Sequence, residues 1–158
     1  MLIDNADIRQ RVRELAQHIN SEYKDKRPVL ICTLKGACTF FIHLTDCLQD
    51  LKQGYDIEFV RASSYDGVNT TGNVTLCSDL LDLKAIQNRH VLIVEDIVDT
   101  GTTLSHVVPI IKEQGRPISI EVCTLLDKRL DEGDEKHFAA KYCGFSIPNL
   151  FIIGYGYV

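Results

Sequence analysis

Val91-Leu92-Ile93-Val94-Glu95-Asp96-Ile97-Val98-Asp99-Thr100-Gly101-Thr102-Thr103-Leu104 joins an apolar run of strand length to the start of a helix through an acidic pair and a Thr/Gly turn. Each part suggests a separate use. Thr100 to Thr103 opens the helix, where unpaired backbone N–H groups, the helix dipole and hydroxyls suit a phosphate, and Gly101 permits close approach. No GxxxxGK[ST] pattern occurs, so this is not a Walker loop. Glu95 and Asp96 end the apolar run and would repel one another unless a cation, a water or a donor stood near. A sugar diol or a magnesium-bound substrate fills that need. A plainer reading makes Asp99 a helix N-cap and the acidic pair solvated edge residues.

Outward from this stretch, strands and helices alternate. Asp4 to Tyr23 carries Ile8, Val12, Leu15, Ala16 and Ile19 at helical spacing, with Asp4 or Asn5 as cap. Val29 to Leu34 reads as a buried strand delivering the polar Lys35-Gly36 turn to an edge. Ala37 to Leu51 is apolar on one helical face, and Ile57 to Ala62 reads as another strand. Ser63 to Gly72, rich in Gly, Asn, Asp and hydroxyls, is a long loop, and long loops in compact domains are usually functional. Asn73 to Cys77 offers a strand, Thr102 to Gln114 a helix ended by Gly115, and Ile118 to Leu126 and Leu150 to Gly154 further strands. The alternation specifies an α/β domain with a largely parallel sheet, whose ligand lies beyond the carboxyl ends of the strands. That rule directs attention to Leu34-Lys35-Gly36, to Glu95 through Thr103, to Asp127-Lys128-Arg129 and to the residues after Ile153.

Composition narrows the function. With 158 residues, 45% hydrophobic and 25% charged, the chain reads as one domain, 1–158, with a full-size core. A net charge of −5 and no local basic cluster argue against a surface that tracks nucleic acid. No apolar run approaches the roughly 20 residues of a membrane helix, so no membrane partner is expected. Met1-Leu2-Ile3-Asp4 lacks a basic flank and a signal-peptide core, which makes a cytoplasmic location the expectation. Cys32, Cys38, Cys47, Cys77, Cys123 and Cys143 show no metal-ligand spacing and read as reduced thiols. The five histidines, His18, His43, His90, His106 and His137, form no catalytic or metal set by spacing.

Val94 to Thr103 resembles the phosphoribosyl-pyrophosphate (PRPP) signature of type I phosphoribosyltransferases. Leu34-Lys35-Gly36, Arg61-Ala62-Ser63-Ser64-Tyr65, Leu125-Leu126-Asp127-Lys128-Arg129 and Gly144-Phe145-Ser146-Ile147-Pro148-Asn149 through Gly154-Tyr155-Gly156 follow in the order of the hypoxanthine-guanine phosphoribosyltransferase family. The resemblance implies a Rossmann-like, mostly parallel sheet flanked by helices with a reduced hood, in a chain shortened at both ends. It implies a purine-salvage transferase that converts hypoxanthine and/or guanine plus PRPP to IMP or GMP and pyrophosphate, with Mg2+ and as a homodimer or homotetramer.

By the same resemblance, Asp99 is the base at purine N7, and Glu95 and Asp96 hold the ribose hydroxyls and, through them or through water, the metal. Thr100, Gly101, Thr102 and Thr103 bind the 5′-phosphate. Leu34, Lys35 and Gly36 contact pyrophosphate, with a non-proline cis peptide between Leu34 and Lys35. Ile97, Lys128, Phe151 and Ile152 form the purine site, where Lys128 donates to O6 and so selects 6-oxo over 6-amino bases. Ser64 and Tyr65 begin a mobile lid that excludes water.

The chain departs from the family at several places. It reads Gly154-Tyr155-Gly156-Tyr157-Val158 where the family continues Gly-Tyr-Gly-Leu-Asp-Tyr, so that Val158 takes the aspartate's place by counting. Asp131-Glu132 stand where a basic residue is common, and Thr102 where many members have lysine. These departures keep a second expectation open: a non-catalytic PRPP- or nucleotide-binding homologue acting as sensor or subunit.

Overall fold

Alternation within the central strands decides which helix covers which face. In β1 (Val29–Leu34), Leu30 and Cys32 point to one side and Val29 and Ile31 to the other, all fully buried. In β4 (His90–Val98), Leu92 and Val94 divide from Val91 and Ile93 in the same way. Strands buried on both faces are apolar throughout and belong to parallel sheets covered by helices. The computed structural model describes residues 3–63, 75–76 and 80–156, and among them this is the arrangement found.

Six strands lie in the order β3-β2-β1-β4-β5-β6, where β2 is Asp56–Ser63, β3 Thr75–Leu76, β5 Ser119–Arg129 and β6 Tyr142–Pro148. All neighbours are parallel except β3, which runs antiparallel to β2. Helices α1 (Asn5–Tyr23) and α2 (Cys38–Cys47) cover one face, burying Leu15, Ile19, Phe40 and Leu44 against Leu30, Leu92 and Leu125. Helix α3 (Thr102–Ile110) and the turn after it cover the other, with Leu104 and Val107 of the helix and Ile111 of the turn against Ile31, Val91 and Ile93. The Asp4 side chain caps α1 by accepting from Ala6 N at 3.0 Å.

The chain leaves β1 towards β2 on one side and returns to β4 on the other. A crevice therefore opens between the carboxyl ends of β1 and β4, where connections depart in opposite directions. Leu34-Lys35-Gly36 and Asp99 to Thr103 flank it.

Several boundaries differ from the sequence reading. Strand β4 continues through Glu95 and Asp96 to Val98, so the acidic pair lies within the strand rather than after it. Asp96 falls outside the ladder, for Glu95 pairs with Thr124 and Ile97 with Leu126. Strand β5 likewise extends to Arg129. Helix α2 ends at Cys47, and α3, which contains Pro109, gives way to a π-helical turn over Ile111–Gly115.

The expected strand Leu150 to Gly154 is absent, and β6 lies just before it. Leu150, Phe151 and Ile153 are largely exposed, while Ile152 between them packs against the core. Tyr142 to Pro148 instead completes the sheet, because Gly144 allows the chain to press against the Leu125 carbonyl. The long loop from residue 64 and the lid residues Ser64 and Tyr65 lie outside the described residues, as does Val158. The described cysteines, Cys32, Cys38, Cys47, Cys123 and Cys143, are free thiols. No helix among the described residues is long and apolar enough to cross a membrane.

Candidate active site

Glu95 is 8% exposed at the crevice floor. Its Oε1 accepts from Thr33 Oγ1 at 2.7 Å and from Asp96 N at 3.1 Å, while the same Thr33 hydroxyl lies 3.0 Å from Val94 O. Burial, with the neighbouring Asp96 carboxyl second, raises the Glu95 pKa above the usual carboxylate range. Asp96 Oδ1 accepts from Ile97 N at 2.9 Å. Thr33 is the support sequence reasoning missed, since a threonine inside an apolar strand announces only a polar interruption.

The turn after β1 approaches this pair closely. The Leu34–Lys35 peptide is cis, as the family resemblance implies. A Cβ built on Gly36 would overlap Asp96 Oδ2, so a larger residue there would displace the carboxylate from the turn. Lys35 is exposed beside it. On the other rim, the Gly154-Tyr155-Gly156 turn rests on the same place: a Cβ on Gly156 would lie 3.2 Å from Gly36 O. His43 Nδ1 meets Tyr155 OH at 2.5 Å and fixes that turn to α2.

At the start of α3, Gly101 is the N-cap with φ of +81° and offers no side chain to the first turn. The plainer reading of Asp99 as a cap is thus overturned. Thr100 Oγ1 accepts from Thr102 N at 3.3 Å and lies 2.8 Å from Thr102 Oγ1. Thr102 and Thr103 stand exposed at the helix mouth, where first-turn N–H groups lack intrahelical partners. Thr33, Leu34, Gly36 and residues 95–104 enclose a cleft of about 320 Å³.

Asp99 is turned towards β5. Its Oδ2 accepts from Lys128 Nζ at 2.8 Å, the lysine side chain being 14% exposed and the aspartate 51%. An adjoining cleft of about 400 Å³ is lined by Lys35, Asp96, Ile97, Asp99, Lys128, Phe151, Ile152 and the glycines 36 and 156. Phe151 is 85% exposed, so it is not the core aromatic that strand periodicity alone would make it. The sequence pointed separately to Asp99 and Lys128; nothing in it announced their ion pair.

All the described residues singled out from sequence therefore gather at one end of the sheet. Glu95, Asp96 and residues 100–103 line the first cleft, and Ile97, Lys128, Phe151 and Ile152 the second. Gly36, Asp96, Ile97 and Asp99 belong to both.

The family model described as a phosphoribosyl transferase domain matches residues 1–158. The chain belongs to the phosphoribosyltransferase family, on its hypoxanthine-guanine branch. Among its relatives, the hypoxanthine-guanine-xanthine phosphoribosyltransferase of Tritrichomonas foetus is 42% identical over 99% of this chain and 82% of that protein. The hypoxanthine phosphoribosyltransferase of Escherichia coli K12 is 38% identical over 99% of this chain and 85% of that one. A solved hypoxanthine phosphoribosyltransferase of Staphylococcus aureus superposes with a TM-score of 0.85 at 34% identity, covering 99% of this chain and 82% of that one. One from Trypanosoma cruzi gives 0.85 at 39% identity, covering 100% and 83%. The fold is that of the type I phosphoribosyltransferases, and the family to which the chain belongs is one of transferase enzymes.

Proposed function

We propose that this phosphoribosyltransferase joins hypoxanthine or guanine to the phosphoribosyl group of PRPP, releasing pyrophosphate and giving IMP or GMP. The observation that carries the choice of base is the Lys128–Asp99 pair at 2.8 Å. On one edge of a free 6-oxopurine, O6 is an acceptor and N7, in the tautomer that carries its proton there, is the neighbouring donor. A donor and a carboxylate in contact match that edge when the base enters between them: Lys128 gives a hydrogen bond to O6, and Asp99 shares a proton at N7. Adenine would place an amino donor against the ammonium, leaving both without an acceptor. Phe151, exposed over the same cleft, supplies a face for stacking, with Ile97 and Ile152 beside it.

The rest of the site serves the sugar phosphate. The N–H groups and hydroxyls of Thr100 to Thr103 take the 5′-phosphate. Glu95, held by Thr33, and Asp96 take the ribose hydroxyls. Leu34, Lys35 and Gly36 face the pyrophosphate, where Lys35 contributes charge. Bond making joins purine N9 to the anomeric carbon while the carbon–oxygen bond to pyrophosphate breaks, and the purine proton passes towards Asp99. Positive charge on the sugar ring in the transition state is stabilised by the nearby carboxylates.

The carboxylates fit magnesium brought with the substrate. Mg2+ is commonly held by one or two carboxylates plus substrate phosphates. Glu95 and Asp96 supply such a pair, and among the described residues no group of three or more His, Cys, Asp or Glu stands ready to cage the ion without substrate. When bound, the ion neutralises the leaving pyrophosphate.

Lys128→Ala tests the purine assignment. The KM for hypoxanthine is expected to rise by at least about tenfold, as for loss of a charge-assisted hydrogen bond, and the preference over adenine to fall. The KM for PRPP should change by less than about threefold, since no phosphate contact is assigned to Lys128. Steady-state kinetics with each substrate varied separately make the comparison. An unchanged hypoxanthine KM and base preference would remove Lys128 from the purine subsite.

A further inference from the structure

The segment between β5 and β6 reaches back onto both halves of the site. Lys136 Nζ donates to the Asp127 carboxylate and, at 2.8 Å, to the carbonyl of Lys128. One residue on, His137 N donates to Thr100 O at 2.7 Å. Phe138 follows and lies where a Cβ on Gly101 would come within 2.7 Å of its backbone nitrogen. Three consecutive residues thus tie the end of β5 to the turn after β4.

That tie falls where the ladder between β4 and β5 ends. Val98 and Asp127 are the last residues those two strands pair with each other, while Lys128 and Arg129 pair with β6 alone, through Ile147 and Pro148. Beyond Val98 and Asp127 the chains part, one into the Thr100 turn and α3, the other towards Lys128 and Arg129. Between Asp99 and Lys128 there is only their own side-chain ion pair, and Asp99 is half exposed. A flexible lysine stem would let that ammonium wander, and a positional error of about 1 Å at a reacting site is costly. Lys136, 28% exposed, anchors the Lys128 peptide itself and neutralises the carboxylate one residue before it.

We propose that Lys136 is a positioning residue for the purine subsite, holding the Lys128 carbonyl and the Asp127 carboxylate so that the Lys128 ammonium stands beside Asp99. This rests on the reading of Lys128 as the donor to purine O6. Neither the apolar periodicity nor the motifs of the chain draw attention to Lys136, which sits in an acidic, loop-like stretch.

The experiment compares Lys136→Met, Lys136→Arg and Lys128→Ala in steady-state turnover, with hypoxanthine and PRPP varied separately, adenine as the competing base and thermal melting alongside. Lys136→Met is expected to raise the hypoxanthine KM about tenfold, as for loss of a charge-assisted hydrogen bond, and to weaken the preference over adenine. Lys136→Arg should recover most of the loss, because a guanidinium can also donate to both acceptors. A merely structural role would lower the melting temperature and the active fraction while leaving KM and base preference alone, and that result would overturn the inference. If Lys128→Ala shifts both quantities and Lys136→Met neither, the inference falls and the purine reading stands. If Lys128→Ala shifts neither, the purine reading falls and takes the inference with it. Should Lys136→Met fail to fold, Asp127→Asn is read instead. It removes the charged partner and keeps the carbonyl contact, with an expected rise in hypoxanthine KM of about threefold. An unchanged value there counts against the tie.

Discussion

Asp99→Asn is expected to lower kcat by about 10²–10⁴-fold while PRPP still binds, because the substitution removes the proton acceptor without disturbing the phosphate turn. The fold should tolerate it. Asp99 is half exposed and its described bond is to Lys128, an ion pair of the kind that contributes about 0–1 kcal/mol when solvent reaches it. Asparagine keeps the size of the side chain and one carbonyl oxygen for Lys128, yet cannot take up the purine proton. Single-turnover kinetics paired with calorimetric titration of PRPP separate the two effects. Turnover within about threefold of the parent would place the proton elsewhere.

The second large effect concerns stability rather than chemistry. Gly144→Ala should cost about 1–3 kcal/mol, the range for forcing atoms into a packed interior where the neighbour cannot move. A Cβ there would overlap the carbonyl oxygen of Leu125 and lie 3.2 Å from its Cα, both in the backbone of the adjacent strand. The ladder already accommodates the spot: Thr124 pairs with Cys143 and Leu126 with Phe145, so that Gly144 and Leu125 meet outside the paired positions. From the other side, Arg11 donates to Gly144 O at 2.7 Å and to Cys143 O at 2.9 Å, binding α1 to β6. Prising β6 from β5 would therefore loosen α1 and the strand end that carries Lys128. Urea denaturation should show a lower midpoint at an unchanged slope, and a midpoint equal to the parent's would mean that the strands part without cost.

Most of the fold was readable because its signals are local. The apolar runs at Val29 to Leu34 and His90 to Val94, the α1 periodicity and the Thr/Gly turn each carry their own chemistry. Their ends were harder. Nothing local distinguishes Glu95 at the end of a strand from Glu95 within one, since neighbouring β5 continues the ladder to Asp127. The error at Leu150 to Gly154 has the same origin: an apolar run was read as a strand, although whether it pairs depends on a partner that sequence spacing does not reveal. Tyr142 to Pro148 took the edge because of a close approach at Gly144, a tertiary fact.

The site divides in the same way. Glu95, Asp96 and residues 99–103 were legible because the acidic pair and the Thr/Gly turn fall in a few consecutive positions. Thr33, His43 and Lys136 were not, for each acts on a residue remote in sequence or through a backbone carbonyl. The Lys128–Asp99 contact spans 29 positions and depends on β4 and β5 lying side by side. Two residues singled out separately thus become one ion pair only after the sheet has formed.

The purified chain with PRPP, Mg2+ and equal amounts of hypoxanthine, guanine, xanthine and adenine, its nucleoside monophosphates followed by mass spectrometry, gives the most direct test. IMP or GMP with release of pyrophosphate, little AMP, and loss of product in Asp99→Asn is the expected result. AMP as the main product, or no nucleotide at all despite bound PRPP, would contradict the assignment of a 6-oxopurine transferase.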